Sequence, residues 1–309
     1  MGERTGSDGD GDFWRTRVPD RRLARWVSFY LAYRRTSGVP QRRSLAALNS
    51  VVLVIDLDTP IRRPVEGSPL ALVSPVAGLS NRPMVYEVEG REQGVVVELT
   101  PLGARALFRM PLRELSNTSA GFFDLFGHRA RRLAEELSEA RDWDLRFRIL
   151  DHRLAEWITD GPGLARPFDA SWRSLTTTTA NLTVHDLTRH TGLSRQHLST
   201  RFHREIGLPP KTVGRIARCH RAIRLITGRA PPPLPAVAHL CGYADQSHLN
   251  RDFRLLVGCA PTALLRPEAA HLDLFLGSLI SLRPVPRTGT RLESGLPLSG
   301  ALEAPGQDC

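Results

Sequence analysis

One hydrophobic pattern, of the form Leu-x3-Phe-x4-Gly-x2-Pro, occurs twice toward the C-terminal end of the chain. Its residues are Leu198, Phe202, Gly207 and Pro210 in the first copy and Leu249, Phe253, Gly258 and Pro261 in the second. A further glycine, Gly192 or Gly242, precedes each copy at a spacing typical of the turn between two short helices. The repeat therefore predicts two helix-turn-helix units in tandem.

The second helix of each unit has an apolar stripe and a polar face. The stripe recurs every four residues, as expected of a helix that is buried on one side. It comprises Leu198, Phe202 and Ile206 in the first unit and Leu249, Phe253 and Val257 in the second. Ser194 and Asp245 stand where they can cap these helices. We therefore predict one helix from Arg195 to Ile206 and a similar helix that follows Asp245.

A long connector helix is predicted between the two units, from Pro210 to Ile226. It combines apolar residues with the four arginines Arg215, Arg218, Arg221 and Arg224. Gly214 weakens this helix by roughly 1 kcal/mol relative to alanine. Such a connector would hold two recognition helices over successive major-groove segments of one duplex, about 34 Å apart.

The front half contains short β-branched runs that Gly, Pro and Asn residues separate. The predicted strands are Val51–Leu57, Leu70–Val73, Met84–Val88 and Gly94–Leu99, and Ala24–Tyr33 is either strand or helix. Predicted helices follow at Gly103–Phe108, Pro111–Leu115, Phe122–Leu137 and Trp143–Trp157, the last with the stripe Leu145, Ile149, Leu150, Leu154 and Trp157. The fold class is therefore α+β: a small β-rich domain, barrel- or sandwich-like, with trailing helices, and then an all-α domain of two helix-turn-helix units.

Composition predicts where the domains begin and end. We expect a disordered N-terminus at 1–20, a sensing or dimerisation domain at 21–160, a linker at 161–181, a DNA-binding domain at 182–268 and a disordered tail at 275–309. The start of the chain is rich in Gly and Asp and lacks apolar residues, which is typical of disorder. The linker segment combines Gly and Pro with four consecutive threonines.

The positive charge of the chain is concentrated on the doubled motif. The net charge is +10, and residues 175–270 contain 13 Arg and Lys against 5 Asp and Glu, a balance of +8. A polyanion such as DNA is the partner that this charge favours. No run of 18 apolar residues and no apolar secretory signal occur, so we expect no membrane contact and a cytoplasmic location.

The sequence offers little support for catalysis or metal binding. The four cysteines (Cys219, Cys241, Cys259 and Cys309) show no C-x-x-C spacing, and we expect them to be reduced. No nucleotide-binding or serine-hydrolase motif occurs. We therefore expect no metal, no cofactor and no enzymatic activity. The alternatives are a DNA repair or modifying enzyme with an appended reader, and a degenerate module that contacts only proteins.

The polar faces of the two predicted recognition helices carry the candidate DNA-binding residues. Side chains at such positions can hydrogen-bond to base edges or phosphates. They are Arg195, Gln196, Ser199 and Thr200 in the first helix and Gln246, Ser247, Asn250 and Arg251 in the second.

The segment from Leu182 to Arg266 resembles the DNA-binding domain of AraC-type (AraC/XylS family) transcription regulators. The matching residues are Ala238, Gly242, Tyr243, Asp245, Gln246, Ser247, His248, Leu249, Arg251, Phe253, Gly258 and Pro261, with Pro210, Arg218 and Ala222 in the connector. Thr188 and Val213 depart from the family pattern. The resemblance implies double-stranded DNA and RNA polymerase as partners, a role as activator, and base contacts by Gln196, Ser199, Thr200, Gln246, Ser247 and Arg251.

The front half resembles an N-terminal domain of some such regulators. The matching residues are Leu99, Thr100, Pro101, Leu102, Gly103, Ala104, Arg105, Leu112, Glu114, Leu115, Arg141, Asp142, Trp143 and Arg146. This resemblance implies a β-rich sensing or dimerising domain, and it identifies no ligand. Control by an unknown small-molecule effector and assembly into a homodimer are both left open as expectations.

Overall fold

The structure is a computed structural model that describes residues 4–7, 13–57, 73–177, 184–228, 230–265 and 272–273. Most of the strand predicted at Leu70–Val73, and the tail predicted at 275–309, lie outside the described residues. Within the described ranges, a β-rich domain with trailing helices precedes an all-α domain. The predicted fold class is therefore confirmed.

The described strands belong to one sheet. They are β1 (Arg4–Ser7), β2 (Phe13–Arg17), β3 (Val27–Leu45), β4 (Val51–Asp56), β5 (Pro75–Ala77), β6 (Met84–Leu99), β7 (Ser119–Gly121) and β8 (Leu272–Asp273). The order is β1-β2-β3-β6-β4-β5-β7 with antiparallel neighbours, and β8 adds a short parallel pairing to β3. β4 confirms the predicted strand at Val51, and β3 shows that the ambiguous segment Ala24–Tyr33 is a strand from Val27 onward.

The longest pairing of the sheet joins β3 to β6, and it corrects one prediction. The two strands predicted at Met84–Val88 and Gly94–Leu99 are a single strand. Gly90 has a φ of 82° and pairs with Ser37, after which the register shifts. A glycine at positive φ accommodates such a bulge without ending the strand. Gly90 therefore bends β6 where the sequence predicted a break.

Five helices follow or flank the sheet in the N-terminal part. They are α1 (Pro101–Phe108), α2 (Phe122–Phe126), α3 (His128–Glu139), α4 (Trp143–Thr159) and α5 (Arg166–Thr177), with 3-10 turns at Arg21–Leu23 and Leu112–Leu115. The helix predicted from Phe122 to Leu137 is broken at Gly127, whose φ is 54°. A left-handed residue ends one helix and lets the chain begin another at a new angle.

The buried stripe of α4 also differs from the predicted one. Its buried residues are Phe147, Leu150, Leu154 and Ile158, whereas Leu145, Ile149 and Trp157 are only partly buried. The ring of Phe147 stacks on Tyr30 of β3, with 5.8 Å between the centroids. The position of the sheet below α4 therefore decides which side of the helix is buried.

The prediction of disorder over 1–20 is wrong for Phe13–Arg17. This segment pairs with β3 from Arg34 to Tyr30, and the ring of Phe13 stacks on Trp143 at 5.8 Å. Although the neighbouring residues in the sequence are polar, the side chains of Phe13 and Trp14 pack against the core. Burial of aromatic surface offsets the entropy lost in ordering such a short strand.

The linker predicted at 161–181 is wrong for Arg166–Thr177, which is helix α5. Phe168, Trp172 and Leu175 are buried on one face of α5, and the Trp172 indole N–H donates to the Asn49 carbonyl at 2.9 Å. Gly161, Pro162 and Gly163, which suggested a linker, lie before the helix, whereas Pro167 lies in its first turn and two of the threonines lie in its last turn. An apolar stripe spaced by three and four residues was the signal for the helix.

The C-terminal half follows the predicted pattern closely. Its helices are α6 (Val184–Thr191), α7 (Arg195–Ile206), α8 (Pro210–Ile226), α9 (Leu234–Leu240) and α10 (Gln246–Leu256), before a 3-10 turn at Pro261–Leu265. All six predicted stripe residues, from Leu198 to Val257, have no exposed surface. The pattern of every fourth residue predicted them because these helices lie on one core.

The two halves share a continuous hydrophobic core and a buried hydrogen bond. Nε2 of His220, on α8, lies 2.8 Å from the carbonyl oxygen of Ala47, in the loop between β3 and β4. A carbonyl oxygen only accepts, so Nε2 of His220 carries a proton and donates it. Burial lowers the pKa of His220 to about 4, and Arg224 acts in the same direction.

Acidification is expected to destabilise the protein through His220. The unfolded chain binds the proton near the ordinary pKa of about 6.5, whereas the folded protein binds it only near 4. The contribution of neutral His220 to the free energy of unfolding is therefore complete above about pH 6.5. As the pH falls from there toward 4, this contribution decreases by up to about 1.4 kcal/mol per pH unit. Urea unfolding of the wild type and of His220→Gln near neutral pH and near pH 5 measures this loss. An equal loss in both proteins would contradict the assignment.

Candidate nucleic-acid interface

The first helix-turn-helix unit consists of α6 and α7. Gly192 makes the turn between them with a φ of 68°. The Ser194 hydroxyl accepts the N–H of His197 at 3.3 Å and caps α7. Gly207 ends α7 in the left-handed region, with a φ of 101°. The predicted turn, cap and helix end are therefore confirmed, and they fix the direction in which the polar face of α7 points.

The second unit consists of α9 and α10 and has the same local design. Gly242 has a φ of 74°, and the Asp245 carboxylate accepts the N–H of His248 at 2.7 Å. Tyr243 is buried beneath the turn, and its ring meets the edge of the His248 ring at 5.2 Å. The guanidinium of Arg218, on α8, lies 4.7 Å from the centre of the Tyr243 ring. A cation–π contact therefore joins this turn to the connector helix.

The eight predicted DNA-binding residues lie on the two polar faces. Arg195, Gln196, Thr200, Ser247 and Arg251 are exposed, and Ser199, Gln246 and Asn250 are partly buried. None of these eight side chains has a hydrogen-bond or ion-pair partner among the described residues. By contrast, the neighbouring Arg204 donates to Glu205 at 2.8 Å and 3.0 Å. The two faces thus present donors and acceptors that are free to bind a ligand.

A buried ion-pair cluster, which was not predicted from the sequence, holds α10 against α8. Asp252 lies on the inner side of α10 with 3% of its surface exposed. Its Oδ1 accepts from Arg215 Nη2 at 2.7 Å and Nε at 2.8 Å, and its Oδ2 lies 3.5 Å from Arg218 Nη2. The hydrogen bond to Asp252 raises the pKa of Arg215. The sequence did contain a signal for this cluster: an acidic residue next to Phe253 of the buried stripe, together with the arginines of the connector helix.

A separate cavity lies among the helices of the N-terminal part. Its volume is about 370 Å³, and basic side chains dominate its lining. The lining residues are Arg109, His128, Arg129, Arg132, Leu133, Arg153, Glu156, Trp157 and Asp160. Glu136 holds Arg153 at 2.6 Å and Arg132 at 3.2 Å, while Arg109 and Arg129 form no ion pair with a described residue. A cavity with this lining favours an anionic occupant.

Neither metal ligands nor a membrane span stand out in the described part of the chain. Among these residues, no group of three or more His, Cys, Asp or Glu side chains could hold a metal ion. No helix there is long and apolar enough to cross a membrane. The buried thiols of Cys219 and Cys241 have a raised pKa because burial disfavours the thiolate.

Two family models match the chain. Residues 187–267 match a helix-turn-helix domain, and residues 15–121 match a domain of unknown function, DUF6597. No curated protein is similar enough in sequence to count as a relative.

Several solved structures share parts of the fold. A probable AraC family transcriptional regulator from Rhodopseudomonas palustris is 25% identical, with 33% of this chain and 95% of that chain covered and a TM-score of 0.31. ToxT from Vibrio cholerae is 13% identical, with 82% and 98% covered and a TM-score of 0.46. Its unsaturated fatty acid-bound form is 11% identical, with 81% and 96% covered and a TM-score of 0.45.

The match over 187–267, together with the two capped units, shows that this part of the chain is a helix-turn-helix domain. Within that class, the C-terminal domain is a tandem helix-turn-helix domain of the AraC type. The resemblance on the signature residues from Ala238 to Pro261 is thereby confirmed. The family models give no support to the alternative of a DNA repair or modifying enzyme.

Removal of the buried carboxylate is expected to destabilise the DNA-binding domain strongly. Asp252→Ala leaves Arg215 and Arg218 without their partner, and breaking a buried ion pair costs about 3–5 kcal/mol. The matched control is Arg132→Ala, which removes an exposed pair with Glu136 and should cost less than about 1 kcal/mol. Urea unfolding followed by circular dichroism compares the two. Similar free energies of unfolding for both variants would refute a structural role for Asp252.

Proposed function

We propose that this protein is a sequence-specific regulator whose helices α7 and α10 enter two successive major-groove segments of one DNA duplex. The proposal rests on one observation: α7 and α10 are both capped, and at equivalent positions they present polar side chains that have no partner among the described residues. The connector α8 is buried between them, with Val213, Ile216 and Ile223 fully enclosed. A rigid connection of this kind suits two reading helices separated by about 34 Å, one helical turn of DNA.

The two helices differ in their candidate base contacts, so we expect them to read different bases. Thr200 and Arg251 each follow the motif leucine by two residues. An arginine at this position can bind guanine O6 and N7 together, whereas glutamine suits adenine. Gln196, Ser199 and Thr200 therefore serve the first half of the site, and Gln246, Ser247 and Arg251 serve the second.

Basic residues around the two helices would contact phosphates. Lys211, Arg195 and Arg254 are exposed, and residues 175–270 carry a balance of +8. Phosphate contacts supply affinity without sequence preference and make binding dependent on salt. Asn250, which is partly buried, could contact either the phosphate backbone of the DNA or a base edge.

Control by an effector through the N-terminal domain belongs to the same proposal. Support for it comes from the direct packing of that domain on the DNA-binding domain and from the basic cavity near Arg109 and Arg129. The chemistry of the cavity favours a small organic anion that could stack near Trp157. RNA polymerase as partner and a homodimer as assembly remain predictions from the family resemblance.

Substitution of the second recognition helix tests the reading of bases. Arg251→Ala and Gln246→Ala are each expected to weaken binding to the cognate duplex by about 1–3 kcal/mol and to relax the sequence preference, because each removes a base contact. Arg141→Ala is the matched control, since it removes an exposed arginine outside the two recognition helices and outside the cavity. Fluorescence anisotropy with duplexes that the wild type selects from a random library gives the affinities. Wild-type affinity in both helix variants would disprove the assignment.

The salt dependence of binding separates DNA recognition from a module that contacts only proteins. If α7 and α10 bind DNA with about six phosphate contacts, the logarithm of the binding constant should fall with the logarithm of salt concentration with a slope near −5. Gel shifts with genomic fragments from about 50 to 200 mM salt measure the slope. Arg254→Ala should reduce its magnitude by about 1. The absence of any shifted complex at low salt would argue for the protein-binding alternative.

A further inference from the structure

The N-terminal domain forms hydrogen bonds near the C-terminal end of both recognition helices. Gly207 and Gly258 occupy the same position in the two copies of the doubled motif, and they have φ values of 101° and 88°. Each lies where its recognition helix has just ended. The last carbonyl groups of a helix have no partner within the helix, so they need donors from elsewhere.

The first contact is made by the turn that follows α1. The Ser116 hydroxyl donates to the Gly207 carbonyl oxygen at 2.6 Å and also lies 3.1 Å from the Leu112 carbonyl oxygen. A Cβ atom on Gly207 would come within 2.4 Å of the Ser116 oxygen. Beside this contact, Arg105 Nε lies 3.8 Å from Glu205 Oε2, and both side chains are less than a fifth exposed. The end of α7 is thus held closely against the N-terminal domain.

The second contact is made by the buried loop between β3 and β4. The N–H of Ala47 donates to the carbonyl of Leu256, the last residue of α10, at 2.7 Å. The carbonyl of the same Ala47 accepts from His220 on the connector. Leu48, the next residue, exchanges two hydrogen bonds of 2.9 Å with Ser80, so the loop is fixed to its own domain. One residue therefore joins α8 and α10 to the N-terminal domain.

We propose that the N-terminal domain sets the separation and angle of the two recognition helices, with Ser116 and Ala47 as positioning residues. This inference rests on the proposed function, because the separation matters only if both helices read one duplex. The connector α8 contacts both helices, and a further element that binds the C-terminal ends of both would restrict their relative rotation. A shift of the Leu112–Ser116 turn relative to the Ala47 loop would move one helix against the other. That movement is the route by which the N-terminal domain would change DNA recognition.

A distance measurement without DNA tests the positioning directly. Spin labels at Thr200→Cys and Arg251→Cys, in a chain with Cys259→Ser and Cys309→Ser, report the separation of α7 and α10 by double electron–electron resonance. The otherwise unmodified chain should give one narrow distance distribution. Ser116→Ala and His220→Leu should broaden or shift the distribution. Ser119→Ala should not, because the Ser119 hydroxyl donates to Met84 Sδ, within the N-terminal domain itself. His220→Gln keeps a donor for Ala47 and should restore the narrow distribution. Unchanged distributions in Ser116→Ala and His220→Leu would overturn the inference.

Selection of DNA by the full-length chain supplies the functional readout. From a random duplex library, the wild type should enrich two motifs at one fixed spacing. Ser116→Ala should enrich the same motifs at several spacings and bind the wild-type duplex about fivefold more weakly, as expected for one lost hydrogen bond. A single, unchanged spacing in this variant would count against the positioning role. If the wild type enriches no motif, the proposed function itself fails, while the label distances still decide whether the N-terminal domain positions the helices.

Discussion

The burial of the connector helix α8 is the constraint on which the rest of the structure depends. Its apolar face meets α5, α7, α9 and α10, and His220 joins the same helix to the N-terminal domain. Helix α5 can pack closely on α8 because Gly214 has no side chain. A Cβ atom at this position would lie only 3.3 Å from the Leu175 side chain. The helix-weakening glycine is therefore a packing residue. Helices α7 and α10 are therefore held together through α8 as parts of one body.

The same packing separates the residues that maintain the fold from the residues on the two polar faces. The residues that repeat between the two units are buried, cap a helix or make a turn, and they determine where each helix lies. The side chains that differ, such as Thr200 and Arg251, are exposed and have no partner among the residues that the structure describes. Buried charges add to the scaffold, since Asp252 is paired with Arg215 and Arg218 inside the domain. Recognition can thus change by substitution on the polar faces while the fold is kept.

Much of the C-terminal domain was predictable because its signals are local. Capping residues, hinge glycines and a four-residue apolar spacing specify helix ends and buried faces within a few residues of sequence. The candidate site was predictable for the same reason, since the polar face is what the stripe leaves exposed. Predictions failed where longer-range contacts decided the outcome. Phe13–Arg17 is ordered by pairing with β3, and α5 is ordered by packing on α8 and on the Asn49 loop.

The tandem units, their helix bounds, their turns and the composition of the two polar faces could all be predicted from local patterns in the chain. Each of these follows from residues close together in the chain. Only the tertiary structure decided how the two halves meet: the Ser116 hydroxyl on the Gly207 carbonyl, and the Ala47 backbone between α8 and α10. The reason is physical, because backbone groups of an ordinary alanine carry no signal in the sequence. Their role depends on which distant carbonyl or N–H the fold brings within hydrogen-bond distance.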